Sequence, residues 1–301
     1  MEVTLPLEAA AIVEAPAAPT ISAILVVYNQ AAALRRAVAA LDKSKNREQL
    51  EILVVDCGSQ DGSSQIDTEF PGITVLRLPH HLGATRAMNI GTRTAKNDFL
   101  FYLEPTVEVA PDTVSKLAER LDSDTDAVAV CPLLVDAEGR PVSRLWKIPN
   151  SESLAAACSG REMPSAAVDL SKDSVDVEYP GRAAILVRKQ FIKGMNYFDE
   201  RFGHFWADAD LAMQIRRVQK KIRVYTGIRA TVHPAPDPLE GEIILAADRI
   251  LGAAAFLGKY NGFFSGLQFR FGSVFRALVG FRMGEVVALI GGQKLDGSQA
   301  G

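Results

Sequence analysis

Cysteine is scarce. The three in 301 residues, Cys57, Cys131 and Cys158, are too few and too scattered for a disulfide framework or a zinc cluster. Long apolar runs are missing as well: no stretch of eighteen apolar residues occurs, so no spanning helix is expected. Basic charge is not in excess. Lys and Arg total 33 against 36 Asp and Glu, a formal net charge of -3, which excludes an overall basic footprint for nucleic acid. Met1-Glu2 is followed by no basic n-region, so no secretory signal is expected. The Gly-x-Gly-x-x-Gly of a dinucleotide turn does not follow the first apolar run, which continues Tyr28-Asn29-Gln30, and this disfavours a nicotinamide- or flavin-dependent oxidoreductase. What is present, 48% apolar and 23% charged residues, is ordinary for a folded protein and excludes a disordered chain, a collagen and a coiled coil. The length suits one large domain or two modest ones, and the expected setting is cytoplasmic.

Residues 1–20 contain an Ala/Pro-rich stretch without a clean period and read as a flexible N-terminal arm. Order is expected from Ile21. Residues 21–28 are apolar and β-branched, as in a strand buried on both faces. Residues 31–42 follow with Leu34, Val38 and Leu41 at helical spacing. Strands are expected at 51–56, 73–78 and 98–103, and a helix at 84–96. Strand, helix, strand, loop, strand, helix, strand predicts an α/β fold with a mostly parallel sheet. In such sheets ligands bind beyond the C-terminal strand ends. Polar residues gather there: Asn29, then Asp56 to Asp61, then Glu104 to Thr106. The second half is less regular. It has strands expected at 127–134 and 183–188, an irregular excursion over 139–180, and a helix opening at Asp208-Ala209-Asp210-Leu211.

Six segments in this order resemble the inverting family 2 glycosyltransferases with the nucleotide-sugar-binding GT-A fold. They are Ile24 to Asn29, Ile52 to Ser63, Leu82 to Gly91, Gly181 to Arg188, Phe198 to Phe202, and Asp208 to Leu211 with Ile215-Arg216. The resemblance runs from about Ile21 to His233. It implies a GT-A-like (Rossmann-like), mostly parallel sheet flanked by helices over 21–235, with a nucleoside-diphosphate sugar as donor substrate. It implies that Asp56 reads the base and that Tyr28 or Asn29 borders the nucleoside. Gly58 and Ser59 leave room for it, and Arg86 and Asn89 belong to the nucleotide-sugar site. A strand-end carboxylate suits the base because it can accept from an imide N–H. Arg86 either holds the diphosphate or pairs with a nearby acid. Asp208 is the general base by resemblance; from local sequence alone it reads as an N-cap for a helix beginning near Asp210, and both roles can hold at once.

Two positions depart from the family pattern. Where an Asp-x-Asp would hold Mg²⁺ or Mn²⁺ against the diphosphate, this chain has Glu104-Pro105-Thr106, with one carboxylate and one neutral hydroxyl. Ala207 stands where the family usually has Glu before the catalytic Asp. Three readings follow: an active transferase with a weak or absent metal, whose leaving group is stabilised by basic side chains or helix dipoles; a transferase whose metal is held by Glu104 and His233; or a catalytically silent relative that binds a nucleotide or a partner protein. A divalent cation, Mg²⁺ or Mn²⁺, is held weakly or not at all on the first reading and by Glu104 and His233 on the second; hard cations prefer oxygen ligands, and the loss of one carboxylate predicts weaker binding. The expected reaction is transfer of a sugar to a glycan or glycolipid acceptor, as in cell-surface polysaccharide biosynthesis.

Residues 236–301 are unlike the rest. Short apolar stretches are broken by glycine, and Phe263, Phe264, Phe269, Phe271, Phe275 and Phe281 alternate with Arg270, Arg276 and Arg282. They read as a helical tail, either lying on a membrane surface or packed on the preceding domain. Nucleic acid is not an expected partner.

Overall fold

The computed structural model describes residues 20–142, 145–239 and 241–295; the arm expected over 1–20 lies outside these except for Thr20. The chain begins β1 (Ile21–Val27), α1 (Ala31–Asp42), β2 (Leu50–Asp56), β3 (Thr74–Arg77), α2 (Ala84–Thr94), β4 (Phe99–Leu103) and β5 (Val107–Val109). It continues α3 (Thr113–Ser123), β6 (Ala127–Val135), α4 (Ser151–Cys158), β7 (Ser174–Val177), β8 (Ala184–Arg188), α5 (Lys189–Gly194), α6 (Ala207–Arg217) and β9 (Lys221–Val232). Three helices follow: α7 (Ile243–Tyr260), α8 (Phe263–Val279) and α9 (Met283–Gly291). The stretch 139–180, expected to be irregular, contains α4 and β7. Helix α4 is capped reciprocally by Asn150 and Ser153, a local signal that offsets its weak apolar pattern.

The strands form one sheet in the order β3-β2-β1-β4-β8-β6-β9-β5, with β7 pairing on β9. The first four strands are parallel neighbours, as the strand-helix alternation predicts. From β8 onward antiparallel pairs enter, while β6 and β9 remain parallel. Side chains alternate between two cores, as the twofold period of a strand requires. Ala23, Leu25 and Val27 pack with Leu34, Val38 and Leu41 of α1 and Leu117 of α3. Ile24, Leu53 and Val55 face the other way, onto Ala87 and Met88 of α2 and the cluster that includes α6 and α7. The helices thus cover both faces, and every residue of β6 is buried.

Helix α7 is tied to the domain by a buried carboxylate. Asp248 is fully buried and accepts the His204 N–H at 3.1 and 3.2 Å and the Leu295 N–H at 2.8 Å. Residue 203 must be glycine here, because a Cβ would lie 2.4 Å from Asp248 Oδ2. Removing the acceptor strands buried backbone donors, which costs about 1–3 kcal/mol. Asp248→Ala is therefore expected to lower Tm by several degrees in a thermal melt; an unchanged Tm would show that this clamp contributes nothing.

Candidate active site

Strand β1 pairs with β2 on one side and with β4 on the other, so the chain direction across the sheet reverses at β1 and β4. Beyond the C-terminal ends of that pair lies a cleft of about 640 Å³, within the ordinary range for small-molecule sites. The strand ends supply Val26, Val27, Tyr28, Leu103 and Glu104, and Pro105 and Thr106 extend the floor. His81, Arg182, His204, Phe205 and Arg249 arrive from other elements. The segment after β9 closes one edge with Asp237 and Leu239.

A second cleft, of about 400 Å³, holds Asp208, Tyr179, Met163 and Trp206. Both clefts share Glu104, Trp146, Arg182, Phe205 and Arg249. Arg182 and Glu104 therefore stand at a junction between two chambers, with Nε and Oε1 3.5 Å apart. Arg182 is braced by the His204 carbonyl, which accepts from Nη1 at 2.8 Å.

Asp208 is the second residue of α6, and Trp206 occupies the N-cap position. The structure thus removes the expectation that Asp208 caps the helix. Trp206 sits at φ 73°, a conformation that a bulky side chain rarely adopts. Burial and an indole N–H bond to the Arg249 carbonyl at 2.9 Å hold it there. This turn presents Asp208 to the Tyr179 hydroxyl, which donates to Oδ2 at 2.9 Å. Tyr179 is in turn paired with Trp146 by two backbone hydrogen bonds and a ring contact. Burial raises the Asp208 carboxyl above its usual range, while the Arg182 charge and the Tyr179 hydroxyl pull it back. Burial and the Asp208 charge keep Tyr179 protonated, hence a donor.

The two cleft histidines are neutral near pH 7. Burial, aided by the charge of Arg182, lowers His81 to about 4. Burial also holds His204 well below the usual imidazole range. His81 Nδ1 accepts from the Gly83 N–H at 2.9 Å, which leaves its ring proton on Nε2. Among the described residues, the standing positive charges lining the larger cleft are therefore the guanidinium groups of Arg182 and Arg249.

Of the residues singled out in the sequence, Tyr28, Glu104 and Asp208 line these chambers. Asn29, Asp56, Gly58 and Ser59 form the loop layer beside them. Asn29 Oδ1 accepts from the Gln60 N–H, and its own N–H donates to Ser59 Oγ. Asp56 Oδ2 accepts from the Ser59 N–H at 3.2 Å, whereas its Oδ1 is buried without a hydrogen-bond partner. Such an orphan acceptor is rare in folded proteins and suits an incoming N–H donor. Gly58 adopts φ 80°, and a Cβ there would meet His80 Cα at 2.9 Å, so this loop packs only with glycine. Arg86 pairs with Glu200 at 3.2 Å, the second of its two expected alternatives. Asn89 is buried and bonds both ways with the Phe198 backbone, joining α2 to the segment before α6. Neither Arg86 nor Asn89 lines either cleft. Arg182, Trp146, Tyr179, His81, His204 and Arg249 escaped the sequence reading, although Arg182 lies inside one of the quoted segments.

The oxygen ligands required by a resident Mg²⁺ or Mn²⁺ are not assembled at the end of β4. Glu104 faces Arg182, Thr106 is neutral, and His233 Nε2 lies 2.7 Å from Glu108 Oε2. His233 does not line the cleft that Glu104 lines. Among the described residues no three His, Cys, Asp or Glu side chains group as metal ligands. The residues present do not fit a hard divalent cation.

Architecture and the placement of the cleft define an α/β protein of the GT-A class. A model of glycosyl transferase family 2 matches residues 22–174, just over half of the chain, and the chain belongs to that family. Hyaluronan synthase of Pasteurella multocida is 23% identical over 245 residues, which are 74% of this chain and 25% of that protein. The chain spans well under half the length of the curated relatives it matches. Crystalline GalNAc-T7 with UDP, GalNAc and Mn²⁺ superposes with a TM-score of 0.58 at 16% identity, over 74% of this chain and 45% of that one. A mannosyltransferase of Pyrobaculum calidifontis in complex with GDP-Man and Mn²⁺ does so with a TM-score of 0.53 at 15% identity, over 90% and 81%.

Proposed function

We propose that the protein is an inverting transferase that moves a sugar from a nucleoside-diphosphate donor to a hydroxyl of a glycan or lipid-linked acceptor. The larger cleft takes the donor and the smaller one the acceptor. The observation that carries this reading is the meeting of the two chambers at Arg182 and Glu104, with buried Asp208 on the acceptor side. In the reaction the acceptor oxygen bonds to the anomeric carbon as the bond from that carbon to the diphosphate breaks. The diphosphate leaves with the electron pair, and the acceptor proton passes to Asp208. Arg182 faces the growing negative charge, in a site where preorganised cations act most strongly. Asp56 Oδ1 offers the acceptor atom for a base N–H once the adjoining loop admits the nucleoside. GalNAc-T7 and the Pyrobaculum calidifontis mannosyltransferase hold Mn²⁺; on this reading Arg182 supplies the corresponding charge here, which its place at the junction supports. Work at the cytoplasmic face of a membrane fits a lipid-linked acceptor.

Isothermal calorimetry with UDP, TDP and GDP, each with and without Mn²⁺, tests the reading. At least one nucleotide is expected to bind, with an affinity that Mn²⁺ changes by less than about tenfold, because among the described residues no three potential ligands group to hold the ion. If none binds under either condition, the transferase reading fails.

A further inference from the structure

The C-terminal helices carry their apolar residues on the wrong side for a protein that ends in water. Helix α8 turns Gly266, Phe269, Ser273 and Ala277 inward, a mostly small or polar set. Outward it presents Phe264, Phe271, Phe275 and Val279, spaced by turns of the helix, with Gln268 the one polar residue in line. Helix α9 repeats this with Met283, Val287 and Ile290, and Phe281 between the helices is 89% exposed. Eleven of the thirteen large apolar side chains exposed among the described residues lie between Ile243 and Ile290. Single exposed apolar residues are normal, but a contiguous field marks a surface that meets something other than water.

We propose that the outward face of α8 and α9 is a docking surface for an anionic lipid bilayer, on which the protein lies without crossing. Charge decides in favour of this occupant. Between Asn261 and Leu295 the chain holds Arg270, Arg276, Arg282 and Lys294 against the single acid Glu285, whereas the whole chain is net negative at -3. Arg270 and Lys294 donate to the carbonyls of Leu289, Ile290 and Arg201 and Arg282 also meets Glu285, so Arg276 and Arg282 are the cations at the edge of the field. Arg276 follows Phe275, and Arg282 lies between Phe281 and Met283, so cations border the aromatic field. This is the composition of helices that rest at a lipid interface, apolar side chains in the acyl boundary and cations at the headgroups. Pairing with a second copy would instead bring two such cationic sets together. No helix among the described residues is long and apolar enough to cross a membrane, which leaves the interfacial mode. The surface is also joined to the smaller cleft. Helix α8 packs on α7, Gly266 against the Ala254 carbonyl. The Arg249 carbonyl of α7 accepts from the Cys158 thiol at 3.7 Å, and Arg249, Ala157 and Gly160 wall the chamber that holds Asp208. Resting on the reading of that chamber as the acceptor side, docking would bring a bilayer-borne acceptor to it.

Flotation of the full chain with phosphatidylcholine vesicles containing phosphatidylglycerol tests the surface directly. The wild type is expected to float with them. The triple variant Phe271→Ser, Phe275→Ser, Phe281→Ser is expected to bind more weakly by about tenfold or more. These positions are exposed, so its Tm and its nucleotide affinity by calorimetry should match the wild type. Equal flotation of the two proteins, or a wild type that stays below the gradient with anionic vesicles, overturns the proposal. So does a wild-type dimer in light scattering that dissolves in the variant without any flotation. Because nucleotide binding is read separately, failure of the docking surface and failure of the transferase reading are distinguishable.

Discussion

Asp208→Asn is expected to reduce sugar transfer by about 10²–10⁴-fold, the usual range for loss of a positioned general base, while nucleotide affinity stays within a few-fold. The substitution keeps the size of the side chain and its contact with Tyr179, so its effect isolates proton transfer. The carboxyl is raised by burial, and its base form is lost as pH falls through that raised value. The acid limb of kcat/KM therefore lies above that of an ordinary carboxylate. Tyr179 sharpens the test. Its hydroxyl favours the ionised form of Asp208, so Tyr179→Phe should raise the Asp208 pKa further and move the acid limb to higher pH. Full turnover in Asp208→Asn, or an acid limb that Tyr179→Phe shifts downward, would remove Asp208 from the base role.

Arg182→Ala should lower kcat by about 10²–10³-fold, the loss seen when one preorganised group facing a developing anion is removed. Among the described residues it is the cation paired with Glu104 at the junction: His81 is depressed to about 4 and His204 is depressed as well, while Arg249, which lines both clefts too, lies over the ring of Phe205 at 4.5 Å. Arg182→Lys should recover only part of the rate, because a point charge does not reproduce the guanidinium fork that holds the His204 carbonyl while facing Glu104. The pH profile adds a second readout. The Arg182 charge lowers the Asp208 pKa, so Arg182→Ala should also move the acid limb upward. If Mn²⁺ restores Arg182→Ala to the wild-type rate, the charge at the junction is supplied by metal and the arginine assignment fails.

Much of the fold could be read directly. Apolar runs at 21–28, 51–56 and 98–103 became β1, β2 and β4, and Leu34, Val38 and Leu41 became part of the buried stripe of α1. Such patterns are local: burial on both faces writes itself into consecutive residues, and one helix face into every third or fourth. Within 139–180 the apolar period is weak, so α4 and β7 were hidden although the Asn150–Ser153 cap was present.

The site was only half legible. Asp208, Glu104 and Tyr28 stood in ordered motifs and do line the clefts. Arg86 and Asn89 stood in equally suggestive motifs and do not, because Glu200 and the Phe198 backbone, more than a hundred residues away, claim them. Family position suggests His233 as a partner for Glu104, yet its ring, one residue past the end of β9, meets Glu108 of β5.

By itself the sequence determined the α/β class, the strand-helix alternation of the first hundred residues and the family, since hydrophobic period and motif order are properties of neighbouring residues. Tertiary structure alone decided that residues 81, 146, 182, 204 and 249 share one cleft, that an arginine stands at the junction of the chambers, and which side of α8 faces outward. Those outcomes depend on side chains far apart in sequence, brought together when the two halves of the sheet join at β4 and β8. No local pattern in the chain records such a meeting.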